Sequence, residues 1–182
     1  LVLLVLASAL NAETTIYNSK AIVHPEVGKN GMVVSQHYLA TNAGHSILAE
    51  GGNAYDASIA VAFALAVVLP RAGNIGGGGF MVMFDEASQE SYSIDYREIA
   101  PEAATKNMFL ASDGSVDKKR ATQGILSIGV PGTVYGMWEV HKKFGSLPWS
   151  ELLAPAIELA EDGFLISPFM ADALNKRYKK LG

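Results

Sequence analysis

Four consecutive glycines, Gly76–Gly79, follow the most apolar internal stretch of this chain and constrain its fold more than any other feature. Ahead of them an Ala-rich segment ends at Leu69–Pro70. Behind them come two short alternating segments, joined by the polar run DEASQE and closed by Pro101. Glycine is used where a backbone takes positive φ or is approached very closely, and four in a row is entropically expensive. The run therefore predicts a turn with another segment packed against bare backbone. A nucleotide-binding reading fails on order and spacing. A dinucleotide fingerprint needs a strand, then GxGxxG, then a helix. Here a helix candidate precedes the glycines, a strand candidate follows, and Met81 stands where the third glycine belongs. No Gly-Lys-Ser/Thr triplet follows either.

The flanking segments read as a hairpin. FMVMF, residues 80–84, is apolar on both faces, which predicts a strand covered on both sides. In SYSIDYRE the alternation places Tyr92, Ile94 and Tyr96 on one face and Ser93, Asp95 and Arg97 on the other. That polar face is expected inside hydrophobic surroundings, where a charge needs a partner or a ligand. Around the hairpin, GMVVS at 31–35 reads as a first strand and Leu39–Glu50 as a helix stopped by Gly51–Gly52. Asn53 caps a second helix, with Asp56 in its first turn and Pro70 ending it. Its Ala57, Ala60, Ala62, Ala64 and Ala66 predict close approach by neighbours and burial between a sheet and other helices. Further helices are expected from Pro131 to Phe144, with Trp138 and Val134 packing on one side, through LPWSELLAPAIELAED to Gly163, and from Ser167–Pro168 onward. Residues 111–120 read as a surface excursion. Strands mixed with buried helices predict a layered α/β (α+β) fold.

Composition narrows the function classes. A formal charge of −4, from 14 basic and 18 acidic residues, provides no basic stripe for nucleic acid. The chain has no cysteine, which excludes disulfides and Cys-containing metal sites. Its four histidines, at 24, 37, 45 and 141, show no HxxxH or HExxH spacing, so no metal is expected. Residues 1–12 read as the apolar core and cleavage site of a residual secretory signal peptide, the plain alternative being a buried first strand. This run and the apolar part of the second helix fall short of the roughly 20 residues needed to cross a bilayer. Residues 13–30 read as an exposed leader, and 31–182 as an incomplete domain.

PRAGNIGGGGFMVMF and IDYREIAP, with EGGNAYDASIAVAFALAVVLP before them and GVPGTVYGM after, resemble in the same order the N-terminal region of the gamma-glutamyltranspeptidase family, the glutathione hydrolase precursors. The likeness runs roughly from Gly31 to Leu174. Tyr96 stands where that family usually has Phe, and Tyr135 where it often has Ala. The resemblance implies a partial αββα sandwich of the N-terminal-nucleophile hydrolase type, and a part of the large subunit needing no cofactor. It implies cleavage of the γ-glutamyl amide of glutathione and other γ-glutamyl compounds. The acyl group passes to water, an amino acid or a peptide acceptor. The partner is the small subunit of the same precursor, and the location is periplasmic or secreted. A related acylase on the same scaffold, or a chain without activity of its own, are the alternatives.

For site residues the resemblance singles out Arg97. In that family the arginine of the matching D-F/Y-R-E motif binds the α-carboxylate of the donor, and a planar guanidinium suits this because it can grip a carboxylate with two parallel hydrogen bonds. The plain alternative is that Arg97 only pairs with Asp95 or Glu98 and stiffens the strand end. Asp95 and Glu98, three residues apart on a strand, fall on opposite faces, which excludes a glycosidase-type carboxylate pair. Trp138, Trp149 and the methionines read as core, and Ser46 lies outside any GxSxG elbow. The implied nucleophile is a threonine exposed by self-cleavage and activated by its own α-amine. It belongs to a Thr-Thr-His-type motif, whereas Thr14–Thr15 is followed by Ile16, and Thr41, Thr105, Thr122 and Thr133 lie mid-chain. The expectation is therefore a substrate clamp in this segment, with the nucleophile downstream and no activity in the segment alone.

Overall fold

The helix that feeds the glycine turn is also the centre of the core. In the computed structural model, which describes residues 27–181, α2 (Ala54–Val68) buries Ala57, Ile59, Ala60, Phe63, Ala64 and Val68. Small side chains at 57, 60 and 64 let α1 (Tyr38–Ala49) approach closely: a methyl added at Gly44 of α1 would lie 2.9 Å from Val33 Cγ1 and 3.3 Å from the Ala57 carbonyl. On its other side α2 meets α5 (Trp149–Asp162), whose Leu152 is fully buried, and Phe63 sits edge-on to Trp149 at 5.6 Å. The segment that reads as a buried helix thus becomes one, its apolar side chains lying on the faces where neighbours exist. The residues from Gly31 on form one compact unit; the proposed signal 1–12, and most of the leader 13–30, lie outside the described residues.

The start of α2 is pinned by polar contacts that the sequence announced only in part. Asn53 Oδ1 accepts the N–H groups of Tyr55 and Asp56, and Asp56 accepts the Asn53 N–H at 3.0 Å, a complete capping box. Asp56 is also fully buried. Its carboxylate accepts the Ser146 N–H at 3.1 Å and the Ser146 hydroxyl at 2.5 Å, while Asn53 Nδ2 donates to the Phe144 carbonyl at 2.7 Å. A buried carboxylate is tolerable when its lone pairs are filled in this way. The result ties the N-terminus of α2 to the turn after α4 (Thr133–Phe144).

Between α2 and α4 lie β1 (Phe80–Asp85) and β2 (Glu90–Asp95), paired antiparallel from Phe80↔Asp95 to Asp85↔Glu90. Residues 101–130 run as loop, with the single turn α3 (Lys118–Thr122) and short bridges Ile99↔Val130 and Leu110↔Val116. The chain's last described helix, α6 (Pro168–Leu181), opens as expected, the Ser167 hydroxyl accepting the Met170 N–H at 3.2 Å.

Three expectations are corrected. Residues 31–35 form no strand, because among the described residues no backbone pairs with them. Trp138 and Val134 lie on the exposed side of α4, 41 % and 45 % accessible, because the helix turns Gly136, Met137 and Val140 toward the core instead. The hairpin is covered on one face only: Met81, Met83, Tyr92 and Ile94 turn inward, while Phe80, Val82 and Phe84 face outward and are exposed.

Candidate functional site: the arginine beside the glycine turn

Gly76–Gly79 do not serve positive φ; none of the four occupies the left-handed region. Gly78 and Gly79 serve close approach, whereas Gly76 has open space and Gly77 faces only the Asn74 side chain. A methyl on Gly78 would collide with the Tyr96 carbonyl and lie 2.7 Å from Arg97 Cα, and one on Gly79 would lie 3.0 Å from the Tyr96 ring. The Tyr96 N–H donates to the Gly79 carbonyl at 3.0 Å, extending the hairpin ladder by one bond. The Gly77 carbonyl accepts the N–H groups of Gly132 and Thr133 at 2.8 and 3.0 Å, which satisfies two donors that α4 would otherwise leave unpaired at its start. The segment that the bare backbone was made to receive is therefore the end of β2.

Arg97 sits immediately past that ladder, beside the turn. Asp95 Oδ1 accepts the Arg97 backbone N–H at 2.9 Å, which fixes the chain direction where the strand ends. The guanidinium lies 5.7 Å from the centroid of the Phe80 ring, and its Nε donates to Glu98 Oε2 at 3.1 Å. Its terminal nitrogens make no hydrogen bond among the described residues. Arginine presents its fork along two edges. Here the Nε edge is taken and the outer edge is open to a ligand. The Arg97 side chain is 59 % exposed, so the polar face is open to solvent, contrary to the expectation of hydrophobic enclosure.

Glu98 and Tyr96 respond to these surroundings. The backbone N–H of Glu98 itself, and then the Arg97 guanidinium, hold the Glu98 carboxyl below its usual range. Burial against the helices raises the Tyr96 hydroxyl. On the Glu98 side a cleft of about 250 Å³ is walled by Ile99, Met108, Phe109, Leu126 and Ile128. None of these wall residues was singled out in the sequence, because they become neighbours only when the 101–130 loop folds back through the Ile99↔Val130 bridge.

The remaining sequence candidates lie elsewhere. His37 caps α1, its Nδ1 accepting the Leu39 N–H at 3.3 Å, His45 is exposed, and His141 bonds the Leu147 carbonyl at 2.8 Å. Among the described residues no group of three His, Asp or Glu side chains is placed to hold a metal, and no helix is long and apolar enough to cross a membrane. Thr133 is buried at the start of α4, its N–H bonded to the Gly77 carbonyl, and the Thr41 hydroxyl bonds Ser35 Oγ at 2.9 Å.

A glycine turn, a half-covered antiparallel hairpin and an arginine whose outer edge is unpaired among the described residues stand on a helix-rich α+β scaffold. Residues 40–182 match the family model described as Gamma-glutamyltranspeptidase. The chain is 50 % identical over 137 residues to the glutathione hydrolase proenzyme of Pseudomonas aeruginosa, covering 75 % of this chain and 24 % of that protein. It is 45 % identical to the glutathione hydrolase proenzyme of Escherichia coli, covering 84 % and 26 %. The crystal structure of Helicobacter pylori gamma-glutamyltranspeptidase superposes with a TM-score of 0.79 at 50 % identity, over 84 % of this chain and 44 % of that one. The chain belongs to the gamma-glutamyltranspeptidase family. It spans about a quarter of the length of the full proenzymes it matches.

Proposed function

We propose that this chain is the N-terminal part of the large subunit of a gamma-glutamyltransferase/glutathione hydrolase, and that Arg97 is its clamp for the donor α-carboxylate. The observation that carries the reading is the outer edge of the Arg97 guanidinium, open and steadied through Nε by Glu98, beside the glycine turn. Family membership supports the chemistry: the relatives are named glutathione hydrolase proenzymes. An incoming carboxylate accepts two parallel N–H bonds from that edge, each worth about 1.5–3 kcal/mol as a charge-assisted bond. The donor is thereby oriented so that its γ-amide reaches the nucleophile, a threonine supplied by the small subunit of the same precursor. The γ-glutamyl ester then passes to water or an amine acceptor, without a cofactor. The apolar outer face of the hairpin, Phe80, Val82 and Phe84, supports the αββα sandwich, in which further strands of the complete protein cover it. The leading apolar segment supports export, to the periplasm or beyond the cell.

The test is Arg97→Lys in the full-length protein carrying this segment, assayed with a γ-glutamyl anilide. Lysine keeps the charge but cannot present two parallel donors. Self-cleavage should persist while kcat/KM falls on the order of a hundredfold, mostly through KM. A near-normal KM would return Arg97 to a plain partner of Glu98.

A further inference from the structure

Behind Arg97, on the inward face of the strand end, three segments far apart in sequence meet on one residue. Tyr96 is touched by glycines from two of them. A methyl at Gly132 would collide with the Tyr96 carbonyl, one at Gly136 with Tyr96 Cβ and Cγ, and one at Gly79 would lie 3.0 Å from its ring and hydroxyl. Gly78 closes the same space from the turn side, 2.7 Å from Arg97 Cα to any added methyl. The turn and α4 are themselves joined, through the Gly77 carbonyl and the N–H groups of Gly132 and Thr133. Tyr96 therefore has one placement, between a turn and a helix start that hold each other. Arg97 is the next residue, pointing to the opposite face, and inherits that placement.

We propose that Tyr96, wedged among Gly79, Gly132 and Gly136, is the positioning residue that sets where the Arg97 fork stands. It touches no substrate; it acts through the backbone it shares with Arg97. The inference rests on the reading of Arg97 as a carboxylate clamp, and it names what gives that clamp its aim. A bidentate clamp is sensitive to this, since a misplacement of about 1 Å in a binding group costs on the order of a hundredfold in rate. On the clamp side Glu98 holds the Nε and the Phe80 ring lies 5.7 Å from the guanidinium, but the side chain is 59 % exposed, so the close packing that fixes the backbone comes from behind.

The experiment compares two donors in the full-length, self-processed protein carrying this segment: γ-glutamyl-p-nitroanilide, and 4-aminobutyryl-p-nitroanilide, which lacks the α-carboxylate. Gly136→Ala and Tyr96→Ala should each raise KM for the first donor and lower its kcat/KM on the order of a hundredfold. They should leave kcat at saturation and turnover of the second donor nearly unchanged. Tyr96→Phe, which keeps the wedge, should behave like the unaltered protein. Equal losses on both donors, or none, would overturn the positioning role provided that Arg97→Lys remains selective for the carboxylate-bearing donor. If Arg97→Lys is itself unselective, the clamp reading falls and the positioning role falls with it. Should Gly136→Ala fail to self-process, the Tyr96→Ala and Tyr96→Phe pair decides alone: native kinetics in both variants would overturn the inference.

Discussion

The α2 helix and strand β1 are written in similarly apolar sequence, yet they end in opposite surroundings. Ile59, Ala60 and Ala64 of α2 are completely inaccessible, whereas Phe80, Val82 and Phe84 of β1 are 64 %, 82 % and 56 % exposed. The difference does not lie in hydropathy. α2 is enclosed because α1, α4 and α5 all belong to the described unit and each offers it small or apolar side chains. The hairpin has a neighbour on its inner face alone, where Met81, Met83 and Ile94 pack against the core. Apolar residues on both faces of a strand favour cover on both sides. Among the described residues only the inner face has it; the proposed sandwich would supply the rest.

The largest effect expected from this contrast falls at the polar seam of the enclosed region. Asp56→Ala leaves the N–H groups of Asn53 and Ser146 and the Ser146 hydroxyl without their acceptor inside the fold. Stability measured by urea denaturation should drop by about 4 kcal/mol, since each buried donor left unsatisfied costs roughly 1–3 kcal/mol. A loss comparable to that of a surface substitution would mean that water reaches this seam.

A smaller effect is expected on the outer face of the hairpin, and it is the one that can break the comparison. Val82→Ser in the full-length protein should cost about 1–3 kcal/mol, as removal of a buried side chain does. A cost within about 0.5 kcal/mol, the usual figure for surface positions, would show that the face stays open and that the sandwich reading is wrong.

The smallest effect lies at the hairpin's far end. Asp85 accepts the Ser88 hydroxyl at 2.7 Å and the Ser88 N–H at 3.0 Å, and these two bonds, the side-chain one first, hold its carboxyl below the usual aspartate range. A carboxyl lowered in the folded state stabilises above the ordinary aspartate range, and that contribution disappears as pH falls through its lowered value. Ser88→Ala should therefore weaken the fold slightly at neutral pH and flatten the acid limb of its stability profile. Identical acid limbs in the two proteins would show that the bond has no energetic weight.

The local features of this chain were legible in its sequence because they depend on neighbours a few residues away. The Asn53 capping box, the stop at Pro70, the Ser167–Pro168 start of α6 and the in–out alternation of β2 all follow from caps, fixed dihedrals and period. Arg97 was singled out by the resemblance of its motif to a known family rather than by any local rule, while the glycine run itself pointed to a close partner, met at Gly78 and Gly79. What that partner is, and which faces end up covered, was decided by contacts between distant segments. Nothing local states that Gly78 meets Tyr96–Arg97, that Gly132 and Gly136 wedge Tyr96 from behind, or that α4 turns Met137 rather than Trp138 inward. Nor does any local signal reveal that 31–35 finds no strand to pair with here. A missing Cβ records that space is short without recording what fills it, and an apolar side chain records a preference for cover without naming the element that provides it.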